Sequence, residues 1–190
     1  MGMPATVSRI WTAAEVRELP EDGNRYEVVG GELLVTPSPS FDHQEAAVRL
    51  WSQLDGYVRR AGFGHAVMSP ADIEMSPTDL VQPDVFVVPL VGGKRPRRWK
   101  DITHLVLAVE ILSPSSARAD RVLKRALYQR QRVSEYWVVD MNARVVERWC
   151  PDDARPEIVE GTLPWHPGGA PAPLAIDLAS YFAEVLDAAE

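Results

Sequence analysis

The sequence predicts an α/β (α+β) domain with a mixed central β-sheet flanked by helices. Three observations carry that prediction. Residues 105–112 are apolar on both faces except at Glu110, the pattern of a central strand covered on both sides. Residues 42–60 repeat Ala46, Ala47, Leu50, Leu54, Tyr57 and Val58 at steps of three and four, a helical period. Short apolar or alternating runs bounded by Gly and Pro recur between such segments and read as strands and turns. With 190 residues and 46% apolar composition, the chain can bury one good core and is short for two. A single domain over residues 1–190 is expected.

Taken in order, residues 1–10 read as a flexible arm. Thr12 can cap a helix over 13–19, with Glu15 completing a capping box. Residues 26–29 and 32–36 flank Gly30-Gly31 and form a hairpin. Pro37 and Pro39 stop its second strand, and the long helix follows until Gly62. Residues 65–69 and 71–75 are two short strands interrupted at Pro70, and a third strand opens at Asp84. A basic loop, Lys94-Arg95-Pro96-Arg97-Arg98-Trp99-Lys100, leads to the central strand. The turn 113–116 then feeds a helix over 119–131, whose apolar stripe is Ala119, Val122, Leu123, Ala126 and Leu127. Asp120, Lys124 and Tyr128 are spaced by four and stack on another face, with Lys124 at the edge of the stripe. Strands at 135–140 and 144–149 follow. Residues 151–173 are rich in Pro and Gly and read as a surface loop, and an amphipathic helix at 177–186 docks back.

The net charge of −7 is unevenly placed. Residues 94–132 carry 11 Lys and Arg against three acids, so this segment is +8 and the remainder −15. A local positive field fits phosphate binding, and a solvated basic surface would look the same. The single cysteine, Cys150, excludes an intrachain disulfide and fits a reducing compartment. No stretch is long and apolar enough for a transmembrane helix, and no signal pattern opens the chain, so a cytoplasmic protein with no membrane partner is expected. Zinc clusters, phosphate-cradling glycine motifs and dinucleotide fingerprints are absent.

Glu110 is the strongest chemical clue. A carboxylate in a doubly covered strand is costly unless it is paired with a cation or bound to a metal. With Asp84 at a strand start and Lys124 on the next helix, the chain holds the residue types of metal-dependent phosphodiester hydrolysis. Mg²⁺ takes hard oxygen ligands and keeps several waters, so two carboxylates suffice. Asp120 and Tyr128 could hold Lys124 in place from its own helix, or form an exposed pair. Arg97, Arg98 and Arg121 are the candidates for contacting nucleic-acid phosphates.

Read in order, Pro83-Asp84, Val109-Glu110-Ile111-Leu112-Ser113-Pro114, Asp120 with Lys124 and Tyr128, and Glu135-Tyr136-Trp137-Val138-Val139-Asp140 resemble one family. It is the family named "putative restriction endonuclease", once known only as a domain of unknown function and expanded in cyanobacteria and actinobacteria. It belongs to the PD-(D/E)XK nuclease superfamily. The hairpin from Tyr26 to Leu33, Pro37, Pro39, His43 and the C-terminal 174–186 resemble it too, so the likeness spans roughly 11–186. The resemblance implies a restriction-endonuclease-like core and a Mg²⁺- or Mn²⁺-dependent DNA endonuclease. Asp84, Glu110 and the main-chain carbonyl of Ile111 would be metal ligands, and Lys124 the catalytic lysine. Glu32 would reach the metal through water and His43 would touch phosphate, although both could be purely structural. Two departures stand out. The superfamily's lysine position, two residues after the acid, is Leu112 here, and the family moves that lysine to the following helix. Arg132 replaces a glycine before the strand at 135. A homodimer is expected, because a two-fold pair can cut both strands of a duplex. The alternative is a catalytically inactive nuclease fold kept as a binding or scaffold protein.

Overall fold

The computed structural model describes residues 9–187. The first eight residues of the expected arm therefore lie outside the described residues, while Arg9 pairs with Glu15 at 2.9 Å. Helix α1 (Ala13–Arg17) starts at the expected capping box, the Thr12 and Glu15 side chains each accepting from the other's backbone N–H. Strands β1 (Arg25–Val29) and β2 (Glu32–Thr36) form the hairpin across Gly30-Gly31, both at positive φ. The long helix α2 (Phe41–Ala61) is capped by the Ser40 hydroxyl and ends on left-handed Gly62.

Next come β3 (Gly64–Met68), β4 (Ile73–Ser76), β5 (Asp79–Val81), β6 (Val85–Pro89) and β7 (Leu107–Ile111). A π-helical segment (Ala119–Lys124) runs into α3 (Arg125–Arg130), followed by β8 (Glu135–Asp140), β9 (Val145–Trp149), β10 (Glu157–Val159), β11 (Thr162–Trp165), β12 (Leu174–Asp177) and α4 (Leu178–Leu186).

The main sheet has six strands in the order β10-β9-β8-β7-β6-β3. Only β7 and β8 pair in parallel, and the π-helical segment with α3 forms their crossover, the connection a parallel pair requires. The sheet is therefore mixed, with β7 inside it, and all five β7 residues are buried as expected. On one face, α2, α4 and the β11–β12 ribbon pack against Leu107, Val109, Trp137 and Val139. On the other, the small sheet β2-β1-β5-β4 and α3 cover Phe86, Ala108, Tyr136 and Val138. Among the described residues, no helix is long and apolar enough to cross a membrane.

Three expectations need correction. The segment 151–173 is not only a loop. It holds β10 and β11, and Trp165 is fully buried against Tyr57, Phe63 and Trp137. Pro and Gly content hid the alternation of exposed Thr162 and Pro164 with buried Leu163 and Trp165. Pro164 is tolerated because a two-stranded ribbon has a free edge. An acid between short strands is expected at the surface, as for Asp72, Glu74 and Asp79, yet Asp79 is buried: it accepts bonds from the Gly30 N–H (2.7 Å) and the Ser76 hydroxyl (2.6 Å) and faces Arg130.

The third correction concerns the crossover helix. Val122 and Ala126 face solvent, whereas Asp120 and Lys124 join Leu127 and Tyr128 in the buried face. Apolar periodicity misjudged this helix because its inward side carries charges that pair with charges on the sheet. Arg132 resolves its own departure from the family pattern. Its φ of 56° is the left-handed conformation that glycine favours, so the turn is kept at some backbone cost.

Candidate active site

Asp84 sits one residue before β6, and β6 pairs antiparallel with β7 through Val85↔Val109, which sets Asp84 beside Glu110. The Ser69 N–H bonds the Asp84 carbonyl at 3.1 Å and fixes that strand start. The β1 strand of the small sheet brings Arg25 and Glu27 over the same point, the start of α2 brings His43, and the crossover helix brings Asp120, Lys124 and Tyr128. Four carboxylates are thus buried together, Asp84, Glu110, Glu27 and Asp120, each no more than 4% exposed.

Lys124 is the hub. Its Nζ lies 2.8 Å from Glu27 Oε2, 3.1 Å from Glu110 Oε1 and 3.4 Å from Asp120 Oδ1. Burial alone would lower its pKa, but the charges of Glu110, Glu27 and Asp120 overturn that and hold it well above the usual lysine range. The Tyr128 hydroxyl donates to Glu110 Oε1 at 3.1 Å, and the Tyr136 hydroxyl donates to the Asp120 carbonyl at 3.1 Å. Burial, followed by carboxylate charge, raises both phenols well above their ordinary range, so they remain donors.

Asp84 and Glu110 differ in their surroundings. Asp84 Oδ1 accepts from Arg25 at 2.9 Å, and Oδ2 accepts from the Ile111 N–H at 2.8 Å and lies 3.2 Å from His43 Nε2. Burial pushes its pKa up, but the His43 bond, the Arg25 and His43 charges and the Ile111 N–H more than offset that and bring it to about 2. Burial pushes the Glu110 carboxyl well above the carboxylate range despite Lys124, with Asp120, Asp84 and Glu27 adding to the rise. Asp120 is raised too, first by burial, and its Oδ1 has no hydrogen-bond partner although Lys124 is within ion-pair distance. At 3.4 Å the ammonium attracts this oxygen without forming a hydrogen bond to it.

The cluster lies along a cleft of about 410 Å³ walled by residues 37–40 and 113–116. Among the described residues, no three His, Cys, Asp or Glu side chains converge as a ready-made metal cluster. The charge balance nevertheless suits a divalent cation. Four carboxylates face two fixed cations, Lys124 and Arg25, and a buried oxygen of Asp120 is left over. Such a surplus is expensive in a low-dielectric site unless protons or a metal offset it.

Of the residues singled out from sequence, Asp84, Glu110, Lys124, His43, Asp120 and Tyr128 come together, with Ile111 lining the cleft. Glu32 does not join them. Its side chain is 53% exposed and its nearest cation is Arg118 at 3.5 Å. The buried hairpin acid is Glu27, whose Oε1 also accepts from the Gln82 N–H at 2.7 Å. Sequence reasoning missed Glu27, Arg25 and Tyr136, yet Glu27 had the same signal as Glu110: an acid beside Val28-Val29 in an apolar strand. His43 lies against Asp84 and lines the cleft. Arg121 is engaged by Glu147 (2.6 Å) and Asp140 (2.8 Å). Arg97 and Arg98 sit in the loop after β6, at the far end of the sheet from Asp84, and Arg98 is bound by Asp101.

The two hairpin acids should separate cleanly in urea melts at pH 7. Glu27→Ala leaves a buried ammonium short of its nearest partner and is expected to cost about 3–5 kcal/mol. Glu32→Ala removes an exposed pair and should stay within about 0.5 kcal/mol. Equal losses would mean that Glu27 does not anchor the cluster.

A family model described as "Putative restriction endonuclease" (Uma2) matches residues 13–178. A search of curated proteins gave no match. Among solved structures, the crystal structure of a putative nuclease from Anabaena variabilis is similar with a TM-score of 0.75 and 19% identity, covering 93% of this chain and 99% of that one. At that identity the likeness concerns the fold, and it is the mixed sheet with flanking helices described above. With most of its length, including β1, β6, β7 and the crossover helix, inside the family match, the chain belongs to the Uma2 family of putative restriction endonucleases.

Proposed function

We propose that the protein is a metal-dependent DNA endonuclease that hydrolyses phosphodiester bonds in the Asp84–Glu110–Lys124 cleft. The observation that carries this reading is the buried surplus of carboxylates gathered around one lysine on the floor of an open cleft. Asp84, Glu110 and the Ile111 carbonyl would hold Mg²⁺ or Mn²⁺. Bound there, the ion supplies polarisation of the phosphate and a lowered pKa for the attacking water.

The chain's own residues do the remaining work. Arg25 and His43 keep Asp84 ionised and oriented. The Tyr128 hydroxyl fixes one oxygen of Glu110. Lys124 presents a permanent positive charge where negative charge develops on a transferring phosphoryl group, and its three carboxylate neighbours hold it there beforehand. A two-fold pair of chains would offer one such cleft to each strand of a duplex.

The test is cleavage of supercoiled plasmid. Nicked or linear product should appear with Mg²⁺ or Mn²⁺ and vanish in EDTA. Millimolar metal should also raise the melting temperature, since a ligand specific to the folded state stabilises it. No cleavage and no thermal shift with either ion would overturn the reading and favour an idle nuclease fold.

A further inference from the structure

We infer that the basic loop after β6 forms a second nucleic-acid site, away from the catalytic cleft, that seats one unpaired nucleotide of a single strand. This rests on the nucleic-acid reading of the protein but assigns a different place and a different substrate form. The loop leaves β6 at Pro89 and re-enters the sheet at Leu107, the ends opposite Asp84 and Glu110. A strand of five residues separates the two places by about 16 Å.

The loop is a built structure. Leu90 N–H bonds the Phe63 carbonyl at 3.0 Å, and Val91 and Lys94 exchange backbone bonds across Gly92-Gly93, both at positive φ. A 3₁₀ turn, Trp99–Asp101, then leads to Ile102, which is buried. Beneath the loop lies a cleft of about 480 Å³. Its floor is apolar, with Val88 and Ile102; its rim carries Arg95 and Arg97; and Trp99, 48% exposed, lines it. That size is within the range of small-molecule pockets. No carboxylate lines the cleft. Among the described residues, Arg95 and Arg97 have no ion-pair partner, whereas Arg98 is held by Asp101. On the β3 side, the Asp55 charge reaches His65, and Asp55 is already bound to Arg59.

An apolar floor with an aromatic wall takes a base, and two free guanidiniums take its flanking phosphates. Stacking on an aromatic ring beside cationic side chains is how single strands are held without sequence preference. A duplex keeps its bases stacked inside and cannot use Trp99 in this way.

The experiment is fluorescence anisotropy with a labelled oligothymidylate of 12 nucleotides and a 12-base-pair duplex, both in EDTA. Trp99→Ala should weaken single-strand binding about tenfold and leave duplex binding unchanged. Arg95→Ala with Arg97→Ala should flatten the slope of log affinity against log salt by about 1.4, two phosphates at roughly 0.7 each. The proposal is overturned if Trp99→Ala has no effect, or if it weakens the duplex as much as the single strand. A wild-type protein that binds through Trp99 but neither cuts plasmid nor shifts its melting temperature with metal supports this site while refuting the nuclease reading.

Discussion

Lys124→Ala should abolish plasmid cleavage and also lower stability by about 3–5 kcal/mol at pH 7, because it strips from three buried carboxylates the ammonium they share. Sequence reasoning gave Lys124 a place at the edge of a helix stripe, where its loss would leave the fold nearly intact. Its 3% side-chain exposure changes that expectation. The pH dependence follows from the neighbours. Burial already holds Glu110 well above the carboxylate range and raises Asp120 from its ordinary value. A carboxyl whose folded pKa is raised costs stability above its unfolded pKa, and that cost fades as pH falls through the folded value. Without Lys124 this cost grows, so the gap between wild type and variant should narrow from pH 8 towards pH 5. Asp84 runs the other way. Its pKa of about 2 means stability present above its unfolded value near 3.8 and lost as pH falls towards 2. Comparisons should therefore stay above pH 4. Urea melts across that range, with cleavage assays at each pH, check both parts. A Lys124→Ala protein as stable as wild type at pH 8, or one that still cuts, would remove Lys124 from the centre of the site.

The same burial explains what was and was not legible in the sequence. The β6–β7 pair could be read because its residues are apolar on both faces, and Glu110 stood out against that background. The capping box at Thr12 and the Gly30-Gly31 turn were legible because local backbone chemistry decides them. The inward face of the crossover helix was not, since periodicity assumes that buried means apolar. Asp120 and Lys124 break that assumption, and only the sheet opposite explains why they point in. Glu27 and Glu32 show the limit most directly. Both are hairpin acids, and pairing of β1 to both β2 and β5 buries the first, while edge strand β2 leaves the second in solvent. Strand order is set by contacts distant in sequence, so neither residue type nor spacing could choose between them. The ribbon at 162–177 was missed for the opposite reason, because Pro-rich composition outweighed the two-residue alternation that buries Trp165.

Glu110→Gln should stabilise the metal-free protein while abolishing cleavage. Glu110 is 2% exposed, and its carboxyl is held well above the ordinary range by burial first and by the Asp120, Asp84 and Glu27 charges after it. Above the unfolded pKa, the folded protein must either keep a proton there or bear a buried charge. Glutamine has the same shape and no proton to lose, and its carbonyl can still accept from Tyr128 and Lys124. Lys124 keeps Glu27 and Asp120, so it is not orphaned. In EDTA at pH 8 a gain of about 1–2 kcal/mol is expected, or roughly 2–8 °C for a chain of this size. The gain should shrink as pH falls towards the unfolded value near 4.5, where the unfolded carboxyl begins to hold its proton as the folded one does. Divalent metal should reverse the order. Wild type gains about 2.7 kcal/mol at a metal concentration one hundred times its Kd, whereas the variant has lost a charged ligand and should gain far less. The two melting curves therefore exchange places between EDTA and saturating Mg²⁺. If Glu110→Gln melts below wild type in EDTA, the carboxylate is a stabilising partner of Lys124 and not a reserved ligand. If Mg²⁺ shifts both proteins equally, the ion binds elsewhere and Asp84 and Glu110 do not hold it.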